Sequence, residues 1–584
     1  MCSIIGYSGK KDAAPILVRS LEKMEYRGYD SVGLAIKNDS LINVKKDIGK
    51  VSEVKHSLNL DKMPGKIGIG HTRWATHGEV SKKNAHPHYS NSGNIAIAHN
   101  GIIENFQQLK NELELDGFKF ESDTDTEVLV NLIQKNFDET ANIKETISKT
   151  ISKLQGHYTF VVIFEDGTLA AARFHEPLII GVEKNSYYIS SDVLGFIEKT
   201  DDAIYIDNEN FVIINDHNLD IFDFKGNSIK PNITKVSKEF ADVYKGDYAH
   251  FTLKEISEQP KTVLQAGNDT QIKEISEMIS KAQDLYITGS GTSYNAARIS
   301  KFLFSNFAKV KIEPIISSEL PFSPDSIEEN STLMTISQSG ESADVLDAVR
   351  IAKESNSKIL SIINHPNSSL SQESDLVINL NCGPEIGVAA TKSFTSQLVI
   401  LYKITNKMCN ECMNLDLDKA SQSISTILKD DSKIKKLAND FKEISDIYVL
   451  GRGIHFPIAK EAALKLKELT YIHAEAIPAG ELKHGPLALM DSNVYVIIIN
   501  PNDSTYQDTL NSANEIKTRG AKIIGVSNQN NEVYDFWIEI PVIDETLYPL
   551  IEIVPIQLLA YYAALAKNTD PDYPRNLAKS VTVE

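Results

Sequence analysis

Two stretches of the chain repeat one pattern in register. Asp284-Leu285-Tyr286-Ile287-Thr288-Gly289-Ser290-Gly291 is matched by Asp446-Ile447-Tyr448-Val449-Leu450-Gly451-Arg452-Gly453. Each is an apolar run that breaks at glycines and continues with helical periodicity. A second strand, Leu333 to Ile336, has its counterpart at Tyr495 to Ile498, and a third, Ile359 to Ile363, at Ile523 to Val526. Strand, glycine turn and helix in repetition predict parallel sheets covered by helices. A ladder of apolar helices could share the composition, but it would not place two glycine turns at a constant offset. The chain is thereby committed to two similar α/β domains, about 275–415 and 435–575. At 584 residues it is also far too long for a single core.

The two copies differ where chemistry would sit. In the first, a strand runs into Ser337-Gln338-Ser339-Gly340-Glu341-Ser342, ahead of a helix expected over Ala343 to Glu354. Hydroxyls and free backbone N–H groups at a helix N-terminus form an anion site. Ser290-Gly291-Thr292-Ser293 makes a similar hydroxyl-rich turn, and both loops fall at the carboxyl ends of their strands. A phosphate could be held there without Lys or Arg. That suits a chain whose 60 basic and 79 acidic residues leave a net charge of −19. The same acidic balance gives no electrostatic footprint for DNA or RNA. The matching loop of the second copy, Asn500-Pro501-Asn502-Asp503, lacks the hydroxyls, so one phosphate site is expected. The second copy instead has Glu461, Lys465 and Glu468 on one helix face by their spacing. His473, Glu475, Glu481 and His484 follow in a short segment punctuated by Gly and Pro, an arrangement suited to proton transfer.

The N-terminal third reads differently. A helix is expected from Asp12 to about Met24. Short strands follow at Gly33 to Ile36, Ile67 to Gly70, Asn94 to His99, Tyr158 to Phe164, Thr168 to Phe174, Leu178 to Val182 and Tyr187 to Ser190, with a helix from Thr126 to Gln134. This is a strand-rich layer with helices outside it, over 1–235, and 236–270 reads as a polar linker with some structure. Cys2 follows the initiator Met directly. Removal of Met1 would leave its α-amine, with a pKa of about 7.7–8.0, beside its own thiol. One residue would then supply both nucleophile and base. Asn100 and the Gly101 N–H could form an oxyanion hole. Arg73 offers a fork for a carboxylate, and Asp125 could hold an ammonium group. Together these make a constellation for releasing ammonia from glutamine.

The four cysteines, Cys2, Cys382, Cys409 and Cys412, give no disulfide framework, which fits a reducing compartment. Cys409 and Cys412 form a C-x-x-C with no second pair, in a helix-like run, and His71, His77, His86, His88 and His99 match no standard zinc spacing, so no metal is expected. No apolar run of membrane-spanning length is found, and a cytosolic protein is expected.

The strings Glu25 to Ser31, His71 to Gly78, Asn84 to His88 and His99 to Asn105 resemble the N-terminal-nucleophile glutaminase domain of the isomerising glutamine–fructose-6-phosphate aminotransferase family. Amidophosphoribosyltransferases share that type of domain. The C-terminal strings decide between them. Ser337 to Glu341, Glu385 to Ala389, Thr391-Lys392, Ala463 to Glu468, Glu481 to Pro486 and the tail from Pro574 to Glu584 resemble the paired sugar-isomerase (SIS) domains of the aminotransferase family. The resemblance implies an αββα sandwich followed by two SIS domains, with the tail 576–584 folded over the isomerase site.

It also implies transfer of the amide nitrogen of L-glutamine to D-fructose 6-phosphate, giving D-glucosamine 6-phosphate and L-glutamate, at the start of amino-sugar synthesis. Arg73, Thr76 and His77 would surround the glutamine carboxylate and Asp125 its amine, while Trp74 would gate an ammonia path. Thr292, Ser293, Ser337, Gln338, Ser339, Ser342 and Val388 would hold the sugar phosphate. His484 would help open the ring, Lys579 would form a Schiff base at C2, and Glu468, assisted by Lys465, would move a proton between C1 and C2. No cofactor is implied, since the substrate carbonyl accepts the electrons, and a homodimer through the isomerase half is expected. The family usually has Thr at the position of Ser342 and often Ser at that of Ala390. A sugar-phosphate sensor with a decayed glutaminase would lack intact Cys2, Asn100 and Asp125. An enzyme that deaminates or deglycates another amino sugar would lack the glutaminase half.

Overall fold

The computed structural model describes residues 2–39, 41–75, 78–215, 218–236, 245–366 and 368–582. The chain divides into two compact units, Met1–Val243 with Ala578–Glu584, and Tyr244–Leu577.

In the first unit the strand Ser3–Ser8 is buried along its whole length. It lies inside an eight-stranded sheet, antiparallel to Ile67–Arg73 on one side and Ser186–Ser190 on the other. A seven-stranded antiparallel sheet centred on Ile95–Ile103, Gly156–Phe164 and Leu169–Phe174 packs against it. Ile4, Ile69, Val161, Ile163 and Ile189 fill the space between the sheets. The helix Ala13–Met24 covers the outer face of the first sheet, with Leu17 and Leu21 lying over Gly68 and Gly70. The helix Asp125–Thr140 covers the second, packing Val128, Leu132 and Ile133 on Ile95 and Ile97. The layers run helix, sheet, sheet, helix, as the αββα expectation requires.

Several strands exceed the sequence reading. Ser3–Ser8 and Leu41–Ile48 are full strands, as are Asn210–Asn215 and Asn218–Asp223. The first is apolar on both faces and shows no alternation. The edge strand Leu41–Ile48 is too polar to signal burial.

The second unit opens with the helix Phe251–Gln265, within the stretch read as a linker. The carboxylate of Asp572 accepts the backbone N–H groups of Phe251 and Thr252, each at 2.8 Å, and so caps that helix from the far end of the chain. Two five-stranded parallel sheets follow. In the first, Leu285–Gly289 lies between Glu313–Ile316 and Thr332–Ser337; in the second, Asp446–Gly451 lies between His473–Pro478 and Tyr495–Ile499. The predicted duplication is therefore real, down to strand order.

Two expectations need correction. Glu545–Ala566 is long and apolar enough to cross a bilayer, contrary to the reading that no such run exists; 83% of its most apolar 18-residue stretch is buried, so its apolar surface is explained by core packing. Cys409 and Cys412 are joined by a disulfide just beyond the helix Lys392–Met408, where a helical run and unpaired cysteines were expected. The short C-x-x-C spacing lets a turn bring the two sulfurs together once the helix ends.

The crevice of the second sheet is closed from within. His455, four residues past Gly451, pairs through Nε2 with Asp503 at 2.8 Å and through Nδ1 with Glu552 at 2.9 Å, with no exposed surface. Burial opposes its charge, but the two carboxylates outweigh burial and raise its pKa from 6.5 to about 10. A group held protonated in the folded state stabilises fully below its unfolded pKa of about 6.5, and that contribution is lost as pH rises through about 10. Trp537 belongs to this unit and Trp74 to the other. In a Trp74→Phe background, Trp537 fluorescence should therefore show the unit's denaturation midpoint falling between pH 7 and 10. The slope, up to about 1.4 kcal/mol per pH unit, should flatten in His455→Gln.

Candidate active sites

In the first unit, Cys2 enters the central strand from its N-terminal end. Its Sγ accepts the backbone N–H of Trp74 at 3.3 Å and lies 3.5 Å from the Trp74 carbonyl. Burial pushes the thiol pKa up, so a nucleophile here needs a local base. Asn100 is buried in the strand Ile95–Ile103, and its Nδ2 donates to the Cys2 carbonyl oxygen at 3.1 Å. Its Oδ1 lies 3.2 Å from Nε2 of His71. Gly101 follows with φ +102°, and a Cβ there would stand 2.0 Å from the His157 carbonyl oxygen. Only glycine fits, which leaves the strand open to a reacting carbonyl. Asn100 thus touches Cys2, and Gly101 is the next residue of the same strand.

Arg73 is buried, and burial lowers its pKa. Its guanidinium donates to the carbonyls of Gly78 at 3.1 Å and Glu79 at 3.3 Å. Asp125 begins the helix Asp125–Thr140 and accepts the Ile103 N–H at 2.8 Å. That bond ties the ammonium-binding candidate to the oxyanion strand. Thr76 and His77 lie outside the described residues. Sequence reasoning gave no role to Arg27, whose Nε lies 3.5 Å from the Cys2 carbonyl oxygen and whose Nη1 pairs with Asp192 at 3.1 Å. Nor did it give one to Asp30, which accepts the Ala75 N–H at 2.9 Å. Both lie in the quoted string Glu25 to Ser31, but only the fold brings that string to Cys2.

In the second unit, the loops after Leu285–Gly289 and Thr332–Ser337 are neighbours because those strands pair in parallel. Ser342 is the N-cap of the helix Ala343–Glu354 and spends no side-chain hydrogen bond on it. Ser337 accepts the Gly340 N–H at 3.0 Å and Ser339 that of Glu341 at 3.2 Å, which folds the loop around the helix start. Gln338 is half-buried in that loop, and its carbonyl oxygen accepts the Asn364 N–H at 3.3 Å. Ser293 accepts from Gln397 at 3.0 Å, a partner the sequence did not suggest. Val388 is buried, with its N–H on the Asp572 carbonyl oxygen at 3.2 Å.

Thr292 faces the acid–base groups. Its hydroxyl donates to Glu461 Oε1 at 2.9 Å and accepts from Lys465 Nζ at 3.1 Å. Asn295 donates to the other Glu461 oxygen at 2.9 Å. Lys465 also pairs with Glu468 at 2.5 Å and Glu461 at 3.4 Å. The first copy's helix Gly291–Leu303 is thereby joined to the second copy's helix His455–Thr470. Glu461 and Lys465 are fully buried, whereas the Glu468 side chain keeps 20% exposure. Burial raises the Glu461 pKa to about 6. Burial opposes the Lys465 charge, but Glu468 and Glu461 outweigh it and hold its pKa above the usual lysine value. Glu468 is the member of the cluster able to meet a substrate. It lines a cleft of about 460 Å³ with Tyr471, Arg575 and Asn576. His484 stands exposed at the end of the segment Ala479–His484, and Lys579 lies in the tail grouped with the first unit.

Such a pair of units describes an amidotransferase coupled to a phosphosugar isomerase. Residues 71–197 match the glutamine amidotransferase domain family, and residues 278–406 and 440–567 each match the SIS domain family. The chain is 41% identical to a glutamine--fructose-6-phosphate aminotransferase [isomerizing] of Pyrococcus horikoshii, and 40% identical to one of Methanothermobacter thermautotrophicus, over the full length of each. It belongs to that aminotransferase family. Among solved structures, the C-terminal domain of glucosamine-fructose-6-phosphate aminotransferase from Francisella tularensis covers 56% of this chain and 100% of its own, with TM-score 0.51 and 36% identity. A tagatose-6-phosphate ketose/aldose isomerase from Escherichia coli, at TM-score 0.51 and 21% identity, covers 56% of this chain and 95% of its own and shares the fold.

Replacing Lys465 with Met would leave Glu461 and Glu468 facing each other without a cation. We expect Lys465→Met to destabilise the second unit by about 3–5 kcal/mol, read from chemical denaturation followed at Trp537.

Proposed function

We propose that the protein transfers the amide nitrogen of L-glutamine to D-fructose 6-phosphate and isomerises the product, yielding D-glucosamine 6-phosphate and L-glutamate. The observation that carries this reading is the union on one chain of two sites. One is a Cys2–Asn100 pair; the other is a carboxylate–ammonium cluster bonded to the helix that follows a hydroxyl-lined loop.

Once Met1 is removed, the Cys2 α-amine takes the thiol proton and Sγ attacks the glutamine amide carbon. Asn100 Nδ2 and the Gly101 N–H stabilise the oxyanion, while Arg73, Thr76 and His77 hold the carboxylate and Asp125 the amine. Ammonia leaves, and water releases glutamate from the thioester. Trp74, whose backbone N–H bonds the thiol, gates the departing ammonia. Confinement matters because ammonia free in neutral water is almost entirely ammonium, a poor nucleophile.

In the second unit Ser293, Ser337, Gln338, Ser339 and Ser342 bind the phosphate beside Val388, while the Thr292 hydroxyl, expected there from sequence, is taken up by Glu461 and Lys465. His484 assists ring opening. Lys579 forms a Schiff base at C2, which ammonia displaces to give the imine. Glu468 then carries a proton from C1 to C2, converting ketose imine to aldose amine. Lys465, paired with Glu468 at 2.5 Å, holds that carboxylate in position. We read the enzyme as a cytosolic homodimer through this unit. Its Phe322, 85% exposed, and Leu489, 50% exposed, supply apolar surface for a partner copy.

Two variants separate the half-reactions. Cys2→Ala should lose at least about 1,000-fold in glutamine-dependent synthesis while keeping synthesis from added ammonium. Glu468→Gln should keep glutamate release and lose about 100-fold or more of aldose formation from either nitrogen source. Loss of both half-reactions in Cys2→Ala would count against two separate sites.

A further inference from the structure

The amide of Asn100 can serve as an oxyanion donor in only one of its two orientations. Turned by half a rotation, it would present Oδ1 to the developing negative charge. The Cys2 carbonyl oxygen, which can only accept, favours Nδ2 on one edge of the amide at 3.1 Å. The other edge meets His71.

His71 lies in the strand Ile67–Arg73 with no exposed surface. Its Nε2 faces two acceptors, the His99 carbonyl oxygen at 3.0 Å and Asn100 Oδ1 at 3.2 Å. A ring nitrogen held by a carbonyl oxygen has to carry the proton, so Nε2 is the N–H and Nδ1 the bare nitrogen. Nδ1 has no partner among the described residues. The ring is stacked on His86 at 4.2 Å, which blocks its rotation. Burial lowers the His71 pKa to about 3, so the neutral form persists across the working range. An N–H donor placed there is compatible with an amide oxygen facing it and not with an NH₂ group.

We infer that His71 is a positioning residue for glutamine hydrolysis: it fixes the Asn100 amide with Nδ2 turned toward Cys2. The inference rests on the proposed role of Asn100 as oxyanion donor. None of the sequence strings isolates it, because His71 reaches Asn100 only across the gap between the two sheets.

The test compares His71→Gln with His71→Asn in the full chain. A glutamine Nε2 can stand where the imidazole Nε2 stands; an asparagine Nδ2 stops short, near the Nδ1 position. Both are polar and smaller than the stacked ring, so thermal midpoints can be matched between them. Initial rates of glutamate release should give a kcat within about 3-fold of wild type for His71→Gln. For His71→Asn, kcat should fall by about 30-fold or more, with KM for glutamine within about 3-fold. Asn100→Ala should lose about 100–1,000-fold in kcat, and His71→Asn added to it should cost nothing further, because the donor being positioned is gone. Multiplying losses in that double variant, or equal rates for His71→Gln and His71→Asn, would overturn the inference while leaving the Asn100 assignment standing. A wild-type kcat in Asn100→Ala would instead remove the oxyanion assignment and this inference with it.

Discussion

An ammonium group with no exposed surface must be surrounded by acceptors, and Lys465 is. Two carboxylates and the Thr292 hydroxyl enclose it. Desolvating that charge costs several kcal/mol unless every partner is in place, so the geometry of the partners is tightly bound to the fold. Thr292 belongs to the first sugar-isomerase copy and Lys465 to the second. The cluster therefore constrains how the helices Gly291–Leu303 and His455–Thr470 approach. It also leaves Glu468 the partly exposed member at the cleft, where a carboxylate can act on a substrate.

The glutaminase unit meets a parallel constraint by another route. Cys2 precedes a strand buried along its whole length, and Asn100 and Gly101 lie in a strand of the facing sheet. Strand Ile95–Ile103 brings Asn100 and Gly101, and Asp125 is tied to the same strand through the Ile103 N–H. Sites built on sheet backbone place their donors more precisely than sites on loops.

Duplication followed by divergence explains why two similar crevices carry different chemistry. Four residues beyond the strand-ending glycine stands Ser293 in one copy and His455 in the other. Ser293 is held by Gln397 and borders an open hydroxyl-lined loop, whereas His455 is locked between Asp503 and Glu552. The second crevice thus holds a carboxylate of its own, which would repel a phosphate. The ion pair that closes this crevice was not foreseen from the missing hydroxyls.

Read alone, the chain revealed its domain plan, the parallel sheets of its second half and the segments bearing Cys2, Asn100, Asp125, Ser337 to Ser342 and Lys465 to Glu468. Those features are local: strand periodicity, glycine turns, helix spacing and hydroxyl-rich caps are all written within a dozen residues. The tertiary structure decided the rest. It brought Arg27 to Cys2, Asp30 to Ala75, His71 to Asn100 and Gln397 to Ser293, turned Thr292 toward Glu461, and buried the apolar helix Glu545–Ala566 in the core. Each of these pairings joins residues far apart in the chain or far apart before folding. A buried polar group must find its partner wherever packing places one, and no short-range pattern records that choice.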